Sequence, residues 1–336
     1  MVQRRVLSDS QILTDLQQRM ADGLLHPENL IHHQGYGNRR DKIAAWAFAF
    51  LSGFARLMPR RLGYAVFAGI YGFVGWAAFP IKRQVKARLN LAFPEKSPRE
   101  RARIYGDFWQ NFGRTNFEIL DYERFTATLL ERIEVEGEAH IRAARDQGKP
   151  LIFVHAHQTN WELIFPLVKS LVDQDLCGLY ATLAIPQIHR RILHRRIEGG
   201  GFPYPRHFRG ALALVLRDLR AGHPLVIALD QRAPGARYPF FGHGAQTTLV
   251  PIRLAQRSGG HLIPVNMERL GSSDRFRVTF HPNLLPDPAP EDLDLVDVLA
   301  DYNSLLEGWI TERPSDWFWL HDRWAKNTRW DRTSPK

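Results

Sequence analysis

The chain has 336 residues, of which 44% are hydrophobic, and this is enough to bury a sizeable core. Chains of this length commonly form one catalytic α/β domain with additions, although the length also accommodates two domains. Cys177 is the single cysteine, which excludes an intramolecular disulfide and fits a reducing compartment, most simply the cytoplasmic side of a membrane.

The net charge of +10 is concentrated in two stretches of the sequence. Residues 82–104 contain eight Lys or Arg and two Glu, which gives +6, and residues 189–209 contain six Arg and one Glu, which gives +5. Two basic patches on an otherwise neutral body favour an anionic partner, such as phospholipid head groups, a phosphorylated glycolipid, an acidic carrier protein or nucleic acid. A solvated basic face is the plainer interpretation of either patch.

Two uncharged apolar stretches follow a polar extension. Residues 1–42 are polar and irregular, and no apolar run follows the first five residues, so a secretory signal is not expected. Ile43–Ala55 has 13 uncharged residues, and Leu62–Ile81 has 20, which is about 30 Å as a helix. Because the basic segment Lys82–Arg88 follows at once, we expect residues 43–125 to form a membrane-anchoring helical region, inserted or as a shallow hairpin. A pair of buried core helices is the alternative.

The rest of the chain has the pattern of an α/β domain. A helix is predicted over residues 97–124, opened by Ser97 and Pro98. Short apolar runs then alternate with helical patterns, which predicts a largely parallel sheet covered on both faces by helices. The expected strands are Ile133–Glu136, Leu151–Val154, Cys177–Tyr180, Leu225–Leu229, Leu262–Asn266 and Phe276–Phe280. The helices expected between them are 162–172, 186–197, 209–221 and 248–258.

The segment Pro150–Glu162, P-L-I-F-V-H-A-H-Q-T-N-W-E, combines a buried strand with polar residues that carry chemistry. We expect His157 on the loop after the strand and Glu162 in the first turn of a helix capped by Thr159 or Asn160. A carboxylate that accepts a hydrogen bond from one imidazole nitrogen fixes the tautomer and leaves the other nitrogen as a base. The residues alone also allow an ordinary loop histidine and a surface glutamate.

The sequence H-Q-T-N-W-E at 157–162 resembles the histidine, four residues, acidic residue motif of glycerolipid-type acyltransferases. Its N-W-E ending is similar to the bacterial lipid A biosynthesis late acyltransferases, the lauroyl and myristoyl transferases of the lysophospholipid acyltransferase superfamily. Further blocks match in the same order, roughly over residues 43–326. They are R-L-N-L-A-F-P-E at 88–95, N-F-G at 111–113 with Glu118, Asp230-Gln231, F-F-G at 240–242 with Thr247 and Thr248, and the segment from Pro314 to Trp324.

The resemblance implies an αβα sandwich with a mostly parallel sheet over residues 126–336, preceded by the membrane-associated helical region. It implies His157 as the general base, Glu162 as the group that orients the imidazole, and Asp230 as a second acidic position near the acceptor or near the histidine. The other expected substrate-binding positions are Asn160, Trp161, Gln231, Arg232, Phe240, Phe241 and Gly242.

The chain departs from the family pattern after Tyr180, where many relatives carry Arg and this sequence has Ala181. If that Arg holds an oxyanion or a phosphate, another residue must replace it. Arg190, Arg195 and Arg196, on the helix predicted next, are the candidates.

The implied reaction transfers a fatty acyl chain from a thioester of acyl carrier protein or coenzyme A to a hydroxyl of a membrane glycolipid, most simply a lipid A precursor. No cofactor beyond this co-substrate and no metal are expected, because the sequence lacks a Walker loop, a G-x-G-x-x-G at a strand end and metal-ligand spacings. The absence of G-x-S-x-G argues against an esterase elbow. The expected partners are the acceptor lipid, acyl carrier protein and the bilayer, without nucleic acid, at the cytoplasmic face of a bacterial inner membrane.

Two alternatives stay open. The acceptor could be another lipid, such as a lysophospholipid, a phosphatidylinositol mannoside or an amino-lipid. From a different class, the protein could be a non-catalytic basic module that binds membranes or nucleic acid.

Overall fold

The structure is a computed structural model, and it describes residues 39–181, 192–193, 195–196, 201–206, 210–233 and 237–324. Residues 1–38 of the predicted extension and most of the helix predicted over 186–197 therefore lie outside the described residues, whereas residues 39–42, expected to be irregular, are helical. The helices are α1 (Arg39–Leu57), α2 (Arg60–Ala77), α3 (Phe79–Ala92), α4 (Pro98–Leu120), α5 (Tyr122–Thr126), α6 (Glu138–Asp146), α7 (Ile164–Val172), α8 (Ala211–Arg220), α9 (Val250–Ser258) and α10 (Leu295–Glu312), and a 3₁₀ turn, Trp161–Leu163, precedes α7. The strands are β1 (Ile133–Glu136), β2 (Leu151–His155), β3 (Leu176–Tyr180), β4 (Gly201–Pro205), β5 (Leu225–Ala228), β6 (Arg237–Phe240), β7 (His243–Gln246), β8 (His261–Arg269) and β9 (Phe276–Phe280).

Seven strands form one sheet in the order β1-β9-β8-β2-β5-β3-β4. The β8–β9 pair is antiparallel and the other neighbouring pairs of this sheet are parallel, which confirms the mostly parallel α/β sheet. The two faces are covered by different apolar clusters. Ile152 and Val154 of β2 belong to one cluster, and Leu151 and Phe153 belong to the other, as expected for a strand buried on both sides.

Several elements were not predicted from the sequence. Strand β4 pairs with β3 at one edge of the sheet. Its Pro203 and Pro205 are tolerated because an edge strand need not donate every backbone hydrogen bond, and these prolines hid the strand. The hairpin of β6 and β7 was expected to be a loop, and α6 and α10 were not predicted.

The predicted continuous helix over Leu62–Ile81 is wrong, because the chain breaks between α2 and α3 at Ala78, with φ −80° and ψ 71°. Pro80 has no N–H to donate to the carbonyl four residues earlier, and its ring would clash with that carbonyl. Among the described helices, none alone is long and apolar enough to cross a bilayer. Helices α2 and α3 meet the length and composition criteria as a pair, bent by 91°.

Helix α4 is the element against which α2 packs, and glycines make the close approach possible. Gly63 and Gly75 of α2 leave room for the rings of Phe117 and Trp109, since a Cβ would lie 2.1 Å and 2.4 Å from their nearest ring atoms. In the other direction, a Cβ on Gly113 of α4 would lie 2.3 Å from the carbonyl oxygen of Phe67. Two of the four α2 glycines therefore serve helix packing inside the protein.

The substitution Gly113→Ala tests this packing. The added methyl group would meet backbone atoms that cannot rotate away, so we expect a loss of about 1–3 kcal/mol in the free energy of unfolding. Gly106→Ala on the same helix is the matched control, because its Cβ has nothing within 4 Å. That control should stabilise the protein by about 0.5–1 kcal/mol, since Ala favours the helix over Gly. Thermal unfolding in detergent measures both, and equal stability of the two variants would contradict the packing account.

Candidate active site

The site lies at the carboxyl ends of two neighbouring parallel strands. In the register of β2 and β5, His155 pairs with Ala228, and these are the last residues of their strands. His157 and Asp230 each follow two residues later, so the pairing of the strands brings them to the same edge. This is the edge at which open α/β sheets place their ligands.

His157 and Asp230 are hydrogen-bonded to each other. His157 Nδ1 lies 2.6 Å from Asp230 Oδ1, and Asp230 Oδ2 accepts a hydrogen bond from the His157 backbone N–H at 2.9 Å. Trp317 Nε1 donates to the same Oδ2 at 2.9 Å. Burial opposes ionisation of Asp230, but the charge and hydrogen bonds of His157 outweigh it and hold the pKa of this carboxyl below its usual range. Asp230 is thus an ionised acceptor that assigns the proton to Nδ1 and leaves Nε2 as the basic nitrogen.

The other imidazole nitrogen, Nε2, is free of the Asp230 carboxylate and lies near Gln231. The His157 side chain is 18% exposed, and Gln231 Nε2 lies 3.3 Å from His157 Nε2. Trp161 stands edge-on to the imidazole, with ring centroids 5.0 Å apart, and Phe318 packs 6.3 Å away. Of the expected site residues, Trp161 and Gln231 therefore reach the histidine. Trp317 and Phe318 lie in the matching segment from Pro314 to Trp324, for which no chemical role was predicted, and they contact Asp230 and His157.

Glu162 is not the hydrogen-bond partner of the imidazole, which corrects the expectation drawn from the motif. One nitrogen of Arg196, Nη2, donates to both carboxylate oxygens of Glu162, at 2.8 Å and 2.9 Å. Burial raises and Arg196 lowers the pKa of Glu162, and the net shift is downward, so the carboxylate stays ionised within this ion pair. The physical reason is position: Glu162 lies in the 3₁₀ turn beyond the loop, whereas Asp230 leaves the adjacent strand beside His157.

The loop between His157 and Glu162 is fixed by a buried charge cluster. Glu118 of α4 is fully buried and accepts hydrogen bonds from Tyr64 Oη at 2.5 Å and from Asn160 Nδ2 at 2.9 Å. Arg269, at the end of β8, forms a two-pronged ion pair with the same carboxylate and donates to Asn111 Oδ1 at 2.8 Å. Asn160 is fully buried here, so it supports the loop rather than lining the cleft as expected.

Further backbone contacts hold the same loop. Thr159 has φ +44°, an unfavourable conformation for a β-branched residue, and its neighbours must offset the strain. Its N–H donates to Asp316 O at 2.8 Å, and its carbonyl accepts from Thr115 Oγ1 at 3.1 Å. The Phe318 N–H donates to His157 O at 2.9 Å. Neither Thr159 nor Asn160 forms the expected side-chain cap of the following helix.

The F-F-G segment is the turn of the hairpin of β6 and β7. Phe240 is fully buried and stacks on Trp324 at 5.3 Å, so it belongs to the core and not to a cleft. Phe241 is half-buried, and its N–H donates to Glu307 Oε1 at 2.7 Å. Gly242 adopts φ +69°, which the turn requires.

Arg232 is exposed beside the histidine pair, and its backbone N–H donates to His321 Nε2 at 2.8 Å. The described arginines among those expected to replace the one missing at Ala181 have different partners. Arg196 binds Glu162, whereas Arg195 donates to Glu123 Oε1 at 3.0 Å and 3.1 Å and to Ile119 O at 3.1 Å. Arg190 lies outside the described residues.

His155 and Cys177 are buried and take no part in the hydrogen bonds between His157 and Asp230. Burial and the neighbouring His157 lower the pKa of His155 to about 4, and its Nδ1 donates to Ala156 O at 3.1 Å. Burial raises the pKa of the Cys177 thiol, which makes it a packing residue and not a nucleophile. Within the described part of the chain, no group of three or more metal-ligating side chains comes together.

The carboxyl group of Asp316 gives the site a pH-dependent stability. Asp316 Oδ1 accepts from Asn111 Nδ2 at 3.1 Å, while Oδ2 is buried, with no hydrogen-bond partner among the described residues. Burial raises the pKa of Asp316 to about 6. Since the folded protein holds this proton more tightly than the unfolded chain does, its contribution to stability is present below pH 4 and is lost as the pH rises through 6.

Asp316→Asn should therefore remove this loss. Relative to the wild type, the free energy of unfolding of the variant should rise by on the order of 1–3 kcal/mol when the pH is raised from 4 to 7.5. Denaturant unfolding at both pH values measures this difference. Asp301→Asn, at an exposed position of α10, is the matched control and should show no such gain. A loss of stability in Asp316→Asn at pH 7.5 would mean that attraction to Arg269 and Arg313 outweighs the burial of the charge.

Comparison with known proteins identifies the family of the chain. The model of the family described as bacterial lipid A biosynthesis acyltransferase matches residues 38–326, which cover the helices, the sheet and the C-terminal segment. A search of the curated proteins finds no match. The match extends over most of the chain, and it includes His157, Glu162 and Asp230. The chain therefore belongs to the bacterial lipid A biosynthesis acyltransferase family.

Proposed function

We propose that this acyltransferase moves a fatty acyl chain from a thioester, of acyl carrier protein or coenzyme A, to a hydroxyl of a membrane glycolipid, most simply a lipid A precursor. The observation that carries the proposal is the His157–Asp230 pair, in which Nδ1 is bound to an ionised carboxylate while the imidazole stays 18% exposed. The arrangement supplies a base and needs no protein nucleophile, because the acceptor brings its own hydroxyl.

The proposed step is a direct transfer. His157 Nε2 takes the proton of the acceptor hydroxyl while its oxygen attacks the thioester carbonyl. The C–S bond then breaks, and the imidazolium returns the proton to the departing thiolate, so that an oxygen ester and a free thiol are formed. Asp230 stabilises the transient imidazolium. The Gln231 amide, 3.3 Å from Nε2, is a candidate donor for the oxyanion. The Glu162–Arg196 ion pair would hold the adjoining wall of the site.

The N-terminal helices support a membrane-bound acceptor. Every large apolar side chain that is strongly exposed in the described residues, except Leu130 and Leu212, lies between residues 43 and 81 on α1, α2 or α3. Trp46, Trp76 and Phe79 are 71%, 64% and 72% exposed. An apolar surface of this extent marks an interaction site, and Lys82, Arg83 and Lys86 follow it directly. We propose that this surface docks on the cytoplasmic face of a bacterial inner membrane.

The basic stretches suit an anionic donor or acceptor, but several of their cations already bind groups within the protein. In residues 82–104, Arg88 is buried, and Arg101 donates to backbone carbonyls, among them Phe93 O at 2.9 Å. In residues 189–209, Arg195 and Arg196 are paired with glutamates. The exposed cations of α3 and the exposed Arg232 are left to attract acyl carrier protein or an acidic lipid.

His157→Ala tests the chemistry. A positioned general base contributes about 10²–10⁴ in rate, so kcat should fall by that factor. The assay follows thiol release and the acylated lipid by mass spectrometry, with acyl carrier protein or coenzyme A thioesters and a panel of lipid A precursors and lysolipids. His140→Ala on α6, outside the site, is the matched control. Full activity in His157→Ala would refute the proposed mechanism.

Exposed aromatic residues allow a test of membrane docking. Phe73 and Trp76 pack on each other at 5.7 Å and are 65% and 64% exposed, so replacing both with Ser should leave the core intact. Because burying one such side chain contributes about 1.5–3 kcal/mol, binding to vesicles should weaken by about tenfold or more. Leu212→Ser on α8 is the control, at 46% exposure outside the surface. Sedimentation with phosphatidylglycerol-containing vesicles measures the partition, and equal binding of both variants would contradict docking through α2.

A further inference from the structure

A pocket of about 530 Å³ lies between α3 and the C-terminal segment that forms the histidine site. Its walls are Gln84, Ala87, Arg88 and Leu91 from α3, and Asp322 and Trp324 from the segment. The segment is continuous with the active site, because Trp317 binds Asp230 and Phe318 packs on His157. The pocket and the histidine site therefore share this segment.

Arg88 is the residue that gives the pocket its charge. Its side chain is 10% exposed, and its Nη1 donates to Trp319 O at 2.7 Å. The nearest carboxylate, Asp322, stays 3.8 Å from Nε, and Asp322 is itself 45% exposed. A guanidinium that has lost most of its hydration, and whose ion pair with Asp322 is long and half-exposed, can take a further anion. Arg suits a phosphate because its donors match the phosphate oxygens.

The other walls provide what a sugar ring requires. Asp322 can only accept hydrogen bonds, while the Gln84 amide can both donate and accept, and ring hydroxyls do both. Leu91 and the indole of Trp324 form the apolar wall, and the indole is fixed because its Nε1 donates to Phe240 O at 3.1 Å. Polar groups at a few fixed points on an apolar wall are typical of a small-molecule site.

The position of the pocket favours the acceptor over the donor. Helix α3 begins with the exposed Phe79 of the docking surface and carries the pocket residues over its next turns. A lipid held in the membrane would therefore meet its head-group site on the same helix that touches the membrane. Gln231 and Arg232, which follow Asp230, connect the histidine to His321, the neighbour of Asp322.

We propose that this pocket binds the phosphorylated sugar head group of the acceptor glycolipid and so presents its hydroxyl to His157. The inference rests on the proposed function and adds to it a specific acceptor subsite, with Arg88 facing the phosphate and Asp322 and Gln84 facing the ring hydroxyls.

Ala87→Trp tests the subsite by filling it without removing a buried contact, because Ala87 is exposed on α3. The indole would compete with the head group, so the KM for the phosphorylated acceptor should rise about tenfold or more while the thioester KM stays within about twofold. Asn90→Trp is the matched control, since Asn90 is exposed on the same helix and does not line the pocket. An unchanged acceptor KM, or a rise in the thioester KM instead, would overturn the proposal.

Binding measured without turnover separates this proposal from the proposed reaction. The probe is a water-soluble phosphorylated glucosamine disaccharide without acyl chains, titrated by calorimetry into the full chain in detergent. We expect binding that weakens about tenfold in Ala87→Trp and is retained in His157→Ala. The unphosphorylated disaccharide and inorganic phosphate should each bind more weakly than the probe, and Arg88→Gln should remove the preference for the phosphorylated form. Probe binding that Ala87→Trp leaves unchanged would place the head group elsewhere, whatever the outcome of the activity assay.

Discussion

The hydrogen bond between His157 and Asp230 depends on the parallel pairing of β2 with β5. The register ends both strands at paired residues, His155 and Ala228, and the functional side chains follow at the same distance along each strand. Both strands lie in the centre of the sheet and are buried, so the elements that position His157 and Asp230 also form the core. Any change that slips this register would separate the imidazole from its carboxylate while leaving the sheet largely intact.

A second constraint connects the helical region to the loop that carries His157. Glu118 on α4, Tyr64 on α2 and Arg269 on β8 meet in one buried cluster, and Asn160 of the loop donates into it. A buried charge that loses its partner is strongly destabilising, by about 3–5 kcal/mol, so this cluster sets one arrangement of helices and loop. The surface proposed to dock on the membrane is thus joined to the loop that carries His157 through α2 and α4 by direct contacts.

The mostly parallel sheet, the positions of most of its strands along the chain and the placement of His157 just after a strand follow from local sequence patterns. Uniformly apolar runs such as that of β2 are short and bounded, and the residues after them fall at the ligand-binding edge. The partner of His157 was less accessible to sequence reasoning. Glu162, five residues away in the motif, was the predicted partner. Asp230, 73 residues away in sequence, is the partner in space because it follows the adjacent strand.

Most of the other wrong predictions have the same cause, which is contact between residues far apart in the chain. Arg269 and Glu118 are 151 residues apart, and no local periodicity marks either as half of a buried pair. Asn160 and Phe240 have residue types that suit a binding cleft, and only the tertiary packing places them in the interior. The break at Ala78 is different, because Pro80 was a local signal for it and the uncharged run around it was given more weight.

The tautomer of His157 tests the central claim most directly. Nitrogen-15 NMR of histidine-labelled protein in detergent would assign the His157 signals by their loss in His157→Gln. The account predicts that the neutral imidazole carries its proton on Nδ1, with Nε2 unprotonated, and that this preference is lost in Asp230→Asn but kept in Glu162→Gln. A proton on Nε2 of the neutral ring, or a preference that depends on Glu162 and not on Asp230, would contradict it.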